Sequence, residues 1–376
     1  MPLQRILLGG QHFLSASDYA AGSDDLLWAS TPVAEGPHVD LLRRAGRGEL
    51  TDDDILESSY GTLARTCIRL GGHYFGAVDD AGVVQVAREF LAGREDGTSS
   101  DARPAQSEPG GLVHLAPIRD SDCYQVVDGH HRLAERIVAG DDRVAARVRR
   151  MAVTTPLQDL LDRMSWIGGK RLLYQPVDAP ELELSWTTVR GCQDRLDAMD
   201  KQLANLGVAR PGSTYLDVAS AYGWFVAEMS KLGFTSSGVE RDPLARRLGP
   251  AVYGLEPEQV VTADAVDFLR AENRTYDVVS CFSLLHHFAL GRGSVDEVGL
   301  LRLLDRITGR VLFLDTGQAH EAWFRKSLAG WDTAYIAEFL ERYGTFDRVI
   351  DLGPDRDAVE PFEDNYARHL FACVRD

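Results

Sequence analysis

Asp217 and Glu240 are the two carboxylates whose setting points most directly to chemistry. Each closes an apolar run, Tyr215, Leu216 and Val218 around the first and Ser236–Val239 before the second, with small residues and an amphipathic stretch, Trp224–Leu232, between them. Acids at the ends of consecutive strands of one βαβ unit face the same crevice, where the second-strand acid accepts hydrogen bonds from the ribose hydroxyls of a nucleoside. Ala219, Ala221 and Gly223 form the connecting turn. Alanine lets a ligand approach the backbone but enters the left-handed region only at a cost, so the turn is expected to be right-handed at both alanines.

Further polar groups follow at the ends of later apolar runs. Asp264 and Ala265 end one, and Ser280, Phe282 and Ser283 end YDVVSCFS. His286, His287, Asp315, Gln318, His320 and Glu321 fall just after the fourth and fifth runs, at the carboxyl edge where an acceptor would meet a bound nucleoside. Histidine suits a general base because its ordinary pKa lies near neutrality, and the sequence does not distinguish His286 from His287 in that role. Asp315 ends an apolar strand, where an acid needs a partner or a ligand.

These residues require elements to hold them. From Gly212 onward strands and helices alternate, which predicts an α/β, Rossmann-like sheet over 212–376, closed by an antiparallel pair at FDRVIDL and ARHLFACV. Residues 152–211 read as a helical connector, with one helix from Pro156 stopped at Gly168 and Gly169 and a second near Thr187 to Leu206. Residues 1–151 are mixed in texture, an α+β region with one clear helix, Val83–Leu91. The Gly, Ser, Pro and charged stretch at 93–111 is expected to be a long mobile loop.

A formal net charge of −17 over 376 residues weighs against holding nucleic acid through its phosphates. Arg143, Arg147, Arg149 and Arg150 read as one solvated strand face instead. The five cysteines are scattered and never spaced CxxC, so buried reduced thiols are expected, with neither a disulfide framework nor a structural zinc site, and no metal is called. No run is long enough to span a bilayer and no secretory leader is evident, so a cytoplasmic setting is expected.

In order and spacing, LDVASAYGWF, GVERDP, VTADAVDFL and YDVVSCFSLLHHF resemble the landmarks of class I S-adenosylmethionine-dependent methyltransferases over roughly residues 186–376. The resemblance implies a seven-stranded methyltransferase sheet with S-adenosylmethionine as cofactor and S-adenosylhomocysteine as product. Asp217, Ala219, Ala221, Gly223, Trp224, Glu240, Arg241, Asp264, Ala265, Ser280, Phe282 and Ser283 would form the cofactor site. Trp224 and Phe282 are candidates for the adenine face, although Trp224 suits core packing equally well. His286, His287 and Asp315 are the catalytic candidates, and Gln318, His320 and Glu321 would face the acceptor. An NAD-binding domain is the competing reading of the turn, but its G-x-G-x-x-G is absent.

Upstream, VVDGHHRLAERIVAG is similar to the phosphate-binding turn of the ParB/sulfiredoxin-like superfamily. The resemblance implies that Asp128, His130, His131 and Arg132 hold a phosphate at a helix start. The expected function is transfer of a methyl group to a small molecule, at oxygen rather than nitrogen, with a phosphorylated acceptor giving this turn a role. A nucleotide-binding regulatory or nucleic-acid-binding protein with a cofactor-sensing methyltransferase lobe is the alternative, and a homo-oligomer is left open.

Overall fold

The computed structural model describes residues 1–95, 112–164 and 170–376. Most of the loop expected at 93–111, and the helix stop at Gly168 and Gly169, lie outside the described residues. The chain divides into two compact units, Met1–Arg163 with Asp178–Trp186, and Met164–Val177 with Thr187–Asp376. The expected connector is therefore no domain of its own, since its residues are shared between the units.

In the first unit, β1 (Ile6–Leu7), β2 (Val113–Pro117), β3 (Tyr124–Asp128) and β4 (Ala146–Val148) form a sheet in the order β1-β3-β2-β4. Among the described residues five α-helices precede β2: α1 (Ala16–Ser23), α2 (Pro37–Ala45), α3 (Asp52–Glu57), α4 (Ser59–Gly71) and α5 (Asp80–Glu95). The sequence reading found only α5. The other four owe their starts to local chemistry: Ser15 and Ser58 cap α1 and α4, Thr51 with Asp54 forms a reciprocal capping box on α3, and Pro37 opens α2 at its first position. Helices α6 (His130–Val138) and α7 (Pro156–Arg163) complete the unit.

In the second unit, a two-stranded ribbon pairs β5 (Leu172–Leu173) with β6 (Thr187–Thr188). The helix expected from Thr187 starts only at Gln193, because Thr187 and Thr188 pair as strand and Cys192 turns left-handed (φ 72°) ahead of α8 (Gln193–Asn205). The main sheet contains β7 (Thr214–Val218), β8 (Thr235–Glu240), β9 (Val260–Thr262), β10 (Tyr276–Cys281), β11 (Thr308–Leu314), β12 (Arg348–Pro354) and β13 (His369–Val374). Its order is β12-β13-β11-β10-β7-β8-β9, and β13 runs antiparallel to both neighbours. Helix α8 and the helices α9 (Trp224–Lys231), α10 (Ala245–Tyr253), α11 (Ala265–Ala271), α12 (Leu285–Ala289), α13 (Glu297–Ile307) and α14 (Thr333–Tyr343) accompany it.

Strand alternation divides the core between the two faces of this sheet. Leu216, Val218, Val279 and Cys281 pack with α11 to α14, while Tyr215 and Val278 pack with α8 and α9. By the same alternation Asp217 and Ser280, paired in register across β7 and β10, belong to the α8–α9 face. Strand order reverses at β7, which pairs with both β8 and β10, so a crevice opens at their carboxyl ends.

Candidate active site

The turn after β7 is left-handed at both alanines, contrary to expectation: Ala219 has φ 63° and Ala221 has φ 49°. Such alanines cost on the order of 1–2 kcal/mol each and persist only where surrounding bonds over-determine them. Those bonds are present. The Ala221 N–H donates to Glu240 Oε2 at 3.1 Å, and Glu240 Oε1 accepts from Asp242 N–H at 3.0 Å. From the other side, Gln175 Oε1 accepts from Tyr222 N–H (3.0 Å) and Trp224 N–H (3.1 Å), while Gln175 Nε2 donates to the Ser220 carbonyl (3.1 Å). Gly223 (φ 89°) caps α9, and an added Cβ would lie 2.6 Å from Leu255.

The turn borders a small cleft lined by Tyr174, Gln175, Cys192, Arg195, Asp217, Ala219, Ala221, Phe225, Phe282 and Ser283. Four of these, Cys192, Ala219, Ala221 and Ser283, are non-glycine residues with positive φ. Strained backbone of this kind concentrates where a chain must present groups to a ligand. A larger hollow of about 380 Å³ lies at the opposite end of the sheet, beside Arg310, Arg348 and Arg375, away from all these groups.

Asp217 is 2% exposed and receives a hydrogen bond from Ser280 Oγ at 2.6 Å, and Ser280 Oγ in turn lies 2.5 Å from the Tyr215 hydroxyl. Burial pushes the Asp217 carboxyl up to about 7 against the Ser280 hydrogen bond, and burial raises Glu240 as well. Of the two adenine-face candidates, Phe282 lines the cleft, whereas Trp224 packs in the core with Phe225. Asp264 caps α11 through Oδ1, accepting from Val266 N–H at 2.9 Å and Asp267 N–H at 3.2 Å, and Ala265 opens that helix. Arg241 is exposed beside Glu240.

The largest feature missed by the sequence reading is a buried guanidinium–carboxylate network at the same edge. Asp315 accepts from Arg190 (2.9 Å), Arg195 (3.2 Å) and the Ser283 N–H (2.7 Å). Burial opposes its charge, but Arg190, Arg195 and Arg368 outweigh that and hold Asp315 below the ordinary carboxylate range. Arg190 also pairs with Asp355. Arg368 grips Glu321 through two 2.8 Å bonds and donates to Ser283 Oγ, and both Arg190 and Arg368 lie about 5 Å over the Tyr366 ring. Arg195 lies 5.2 Å from the Phe225 ring and 5.4 Å from that of Phe282, and its Nε is buried with no partner. Asp194, Asp355 and Asp357 bring oxygens within 4.8 Å of one another, but Arg195 and Arg356 amides bind Asp194 and Arg190 binds Asp355, which is a turn anchor.

The catalytic candidates separate. His286 is buried, its Nδ1 accepts from Gly317 N–H at 3.1 Å, and burial, aided by Arg368 and His287, lowers it to about 2. It is a neutral ring whose remaining proton sits on Nε2, so it cannot act as a base through Nδ1. His287 is half-buried and also lowered by burial, with Nδ1 3.4 Å from Arg292. Neither histidine lines the cleft. The Asp315 carboxylate is engaged by arginines, which leaves it a positioning group rather than a base. Gln318 is buried with Nε2 unpartnered, His320 Nε2 lies 2.6 Å from the Tyr366 carbonyl, and Glu321 belongs to the Arg368 pair.

In the first unit, each residue expected to hold a phosphate has a partner within the protein. Asp128 pairs with Arg132 at 2.6 Å, His130 Nε2 lies 2.8 Å from Gln11 Nε2, and His131 Nε2 lies 3.0 Å from the Tyr60 hydroxyl. His38 stacks on His130 at 5.4 Å, and burial lowers His38 and takes His130 to about 3. The expected helix start is present: α6 begins at His130 behind Gly129, which is left-handed at φ 104°. All five cysteines are buried free thiols. Among the described residues no helix is long and apolar enough to cross a membrane.

Residues 192–294 match a family model described as a methyltransferase domain. No curated protein matches the chain. Among solved structures, the bifunctional kinase–methyltransferase WbdD is 21% identical with a TM-score of 0.45, covering 58% of this chain and 46% of its own. Magnesium protoporphyrin IX methyltransferase (ChlM) from Synechocystis PCC 6803, with bound SAM, is 19% identical with a TM-score of 0.36, over 49% of this chain and 79% of that one. The chain thus spans about half the length of the WbdD structures it matches.

Proposed function

We propose that this chain, whose C-terminal half is a class I methyltransferase domain, moves a methyl group from S-adenosylmethionine to a small-molecule acceptor, at oxygen rather than nitrogen. The observation that carries the reading is the convergence on one cleft of the left-handed turn at Ala219 and Ala221, Phe282 and Arg195 with its unpartnered Nε, with Glu240 bonded to the turn through the Ala221 N–H. The donor set fits the cofactor. The Glu240 carboxylate accepts backbone N–H groups from Ala221, Arg241 and Asp242, and its four lone-pair sites leave room for a ribose hydroxyl. The buried Arg195 Nε–H offers a donor to a carboxylate, and Phe282 offers an apolar face to a base.

The cofactor would supply an activated methyl group on a sulfonium. The protein's task is to position the acceptor and exclude water, worth about 7–11 kcal/mol when the reacting atoms are well aligned. Arg190 and Arg368 fix Ser283, and Ser283 fixes the strand end beside Phe282. His286 Nδ1 faces the Gly317 N–H, His287 Nδ1 faces Arg292 and neither ring lines the cleft, so no histidine is assigned the acceptor's proton. The acidic chain charge weighs against a nucleic-acid acceptor and so favours a small one.

The acceptor class is tested with cofactor carrying a tritiated methyl group and a cell extract separated by size. Label is expected in the low-molecular-mass fraction; label confined to protein or nucleic acid contradicts a small acceptor.

A further inference from the structure

We infer that Gln175 is a positioning residue for the cofactor-binding turn, a side-chain clamp doing the work that glycines would otherwise do at Ala219 and Ala221. The inference rests on the reading of the cleft as a cofactor site. Three facts carry it. The turn holds two left-handed alanines, with Ser220 between them. The Gln175 carboxamide bonds on both sides of Ala221, to the Ser220 carbonyl before it and to the Tyr222 and Trp224 amides after it. It is only 5% exposed, so those bonds are shielded from water.

Gln175 belongs to a strap with independent anchors. Leu172 and Leu173 pair with Thr187 and Thr188, the Tyr253 hydroxyl donates to the Pro176 carbonyl at 2.7 Å, and the Tyr174 hydroxyl lies 3.2 Å from that of Tyr366. A carboxamide delivered by such a strap is fixed before any ligand arrives. Glu240 bonds Ala221 from the opposite side, so the alanine peptide is held between two side chains that come from different parts of the sequence. A glycine turn adopts positive φ without such help, whereas an alanine turn without its clamp can relax to right-handed conformations. Relaxation would rotate the backbone that borders the cleft and misplace Glu240 with it. The clamp thus explains how this chain keeps the turn geometry with alanine at both positions.

The test is calorimetric titration of the full-length chain with S-adenosylhomocysteine, comparing the unaltered protein, Gln175→Met, Ala221→Gly and the double variant. Methionine preserves the packing volume and removes all three bonds. Gln175→Met is expected to raise Kd about tenfold, as unmet backbone amides and a relaxed turn imply. Ala221→Gly alone should change Kd less than about threefold, and adding it to Gln175→Met should recover most of the loss, a coupling that general destabilisation would not produce. Amide exchange at Tyr222 and Trp224, which needs no ligand, should quicken in Gln175→Met. Unchanged Kd in Gln175→Met, or additive effects in the double variant, overturns the proposal alone. Failure of the unaltered chain to bind overturns the cofactor reading and this proposal with it.

Discussion

Arg190 and Asp315, both fully buried, are joined by a 2.9 Å hydrogen bond between segments 125 residues apart in the chain. The bond ties the segment before α8 to the end of β11. Through Ser283, which accepts from Arg190 and donates its N–H to Asp315, it also fixes the end of β10. One ion pair therefore sets the positions of three segments at the edge of the cleft.

Removing one partner leaves buried charge uncompensated. Arg190→Met is expected to destabilise the C-terminal unit by about 3–5 kcal/mol, read as a shift in its urea unfolding midpoint. The pH dependence has a definite sign. The folded pKa of Asp315 is depressed, so its contribution is present above the unfolded value of about 4 and is lost as pH falls below it.

Asp217 behaves in the opposite sense. Its folded value is raised to about 7, so its protonated form favours folding below about pH 4, and that contribution is lost as pH rises through 7. Asp217→Asn keeps the hydrogen bond to Ser280 and removes the titration. It should flatten the decline in stability between pH 4 and 8, gaining up to about 4 kcal/mol at the alkaline end relative to the parent. An unchanged slope in unfolding measurements across that range would rule out this assignment.

Ala221→Gly should raise the melting temperature by about 2–4 °C, because glycine enters the left-handed region at no steric cost. Ala221→Val should lower it, since a β-branched side chain is worst suited to positive φ. Differential scanning calorimetry of the two variants checks both signs.

The N-terminal unit should be acid-labile through His38 and His130. Burial depresses both, His130 to about 3, so the stability they allow is present above the ordinary value of about 6.5 and is lost as pH falls toward that folded value. His130→Gln, which cannot charge, should shift the acid unfolding of this unit to lower pH, measured by tryptophan fluorescence. Arg132→Ala, by contrast, removes an exposed pair and should change stability by less than about 1 kcal/mol.

Much of the C-terminal unit was legible in the sequence. The apolar runs of β7, β10 and β11 and the acid ending β8 are strong local signals, and the seven-stranded sheet was implied by the family resemblance that they carry. The sign of φ at Ala219 and Ala221 was not legible, because alanine's intrinsic preference is overridden by Glu240 and Gln175, and nothing local marks Gln175 as their neighbour. Arg190, Arg195 and Arg368 were missed for the same reason: a guanidinium is recognised as buried only once its distant carboxylates are known. The helices α1 to α4 were a different omission, since Thr51-x-x-Asp54 and the serines at 15 and 58 are capping signals that local reading could have found.

The central claim, that Glu240 and the turn beside it bind S-adenosylmethionine, is tested most directly by calorimetric titration of S-adenosylhomocysteine into the unaltered chain and into Glu240→Ala. The account predicts saturable one-site binding by the unaltered chain and a loss of affinity of at least about tenfold in the variant, the cost of leaving ribose hydroxyls unmet. Binding of equal strength in both, or none in the unaltered chain, would contradict it.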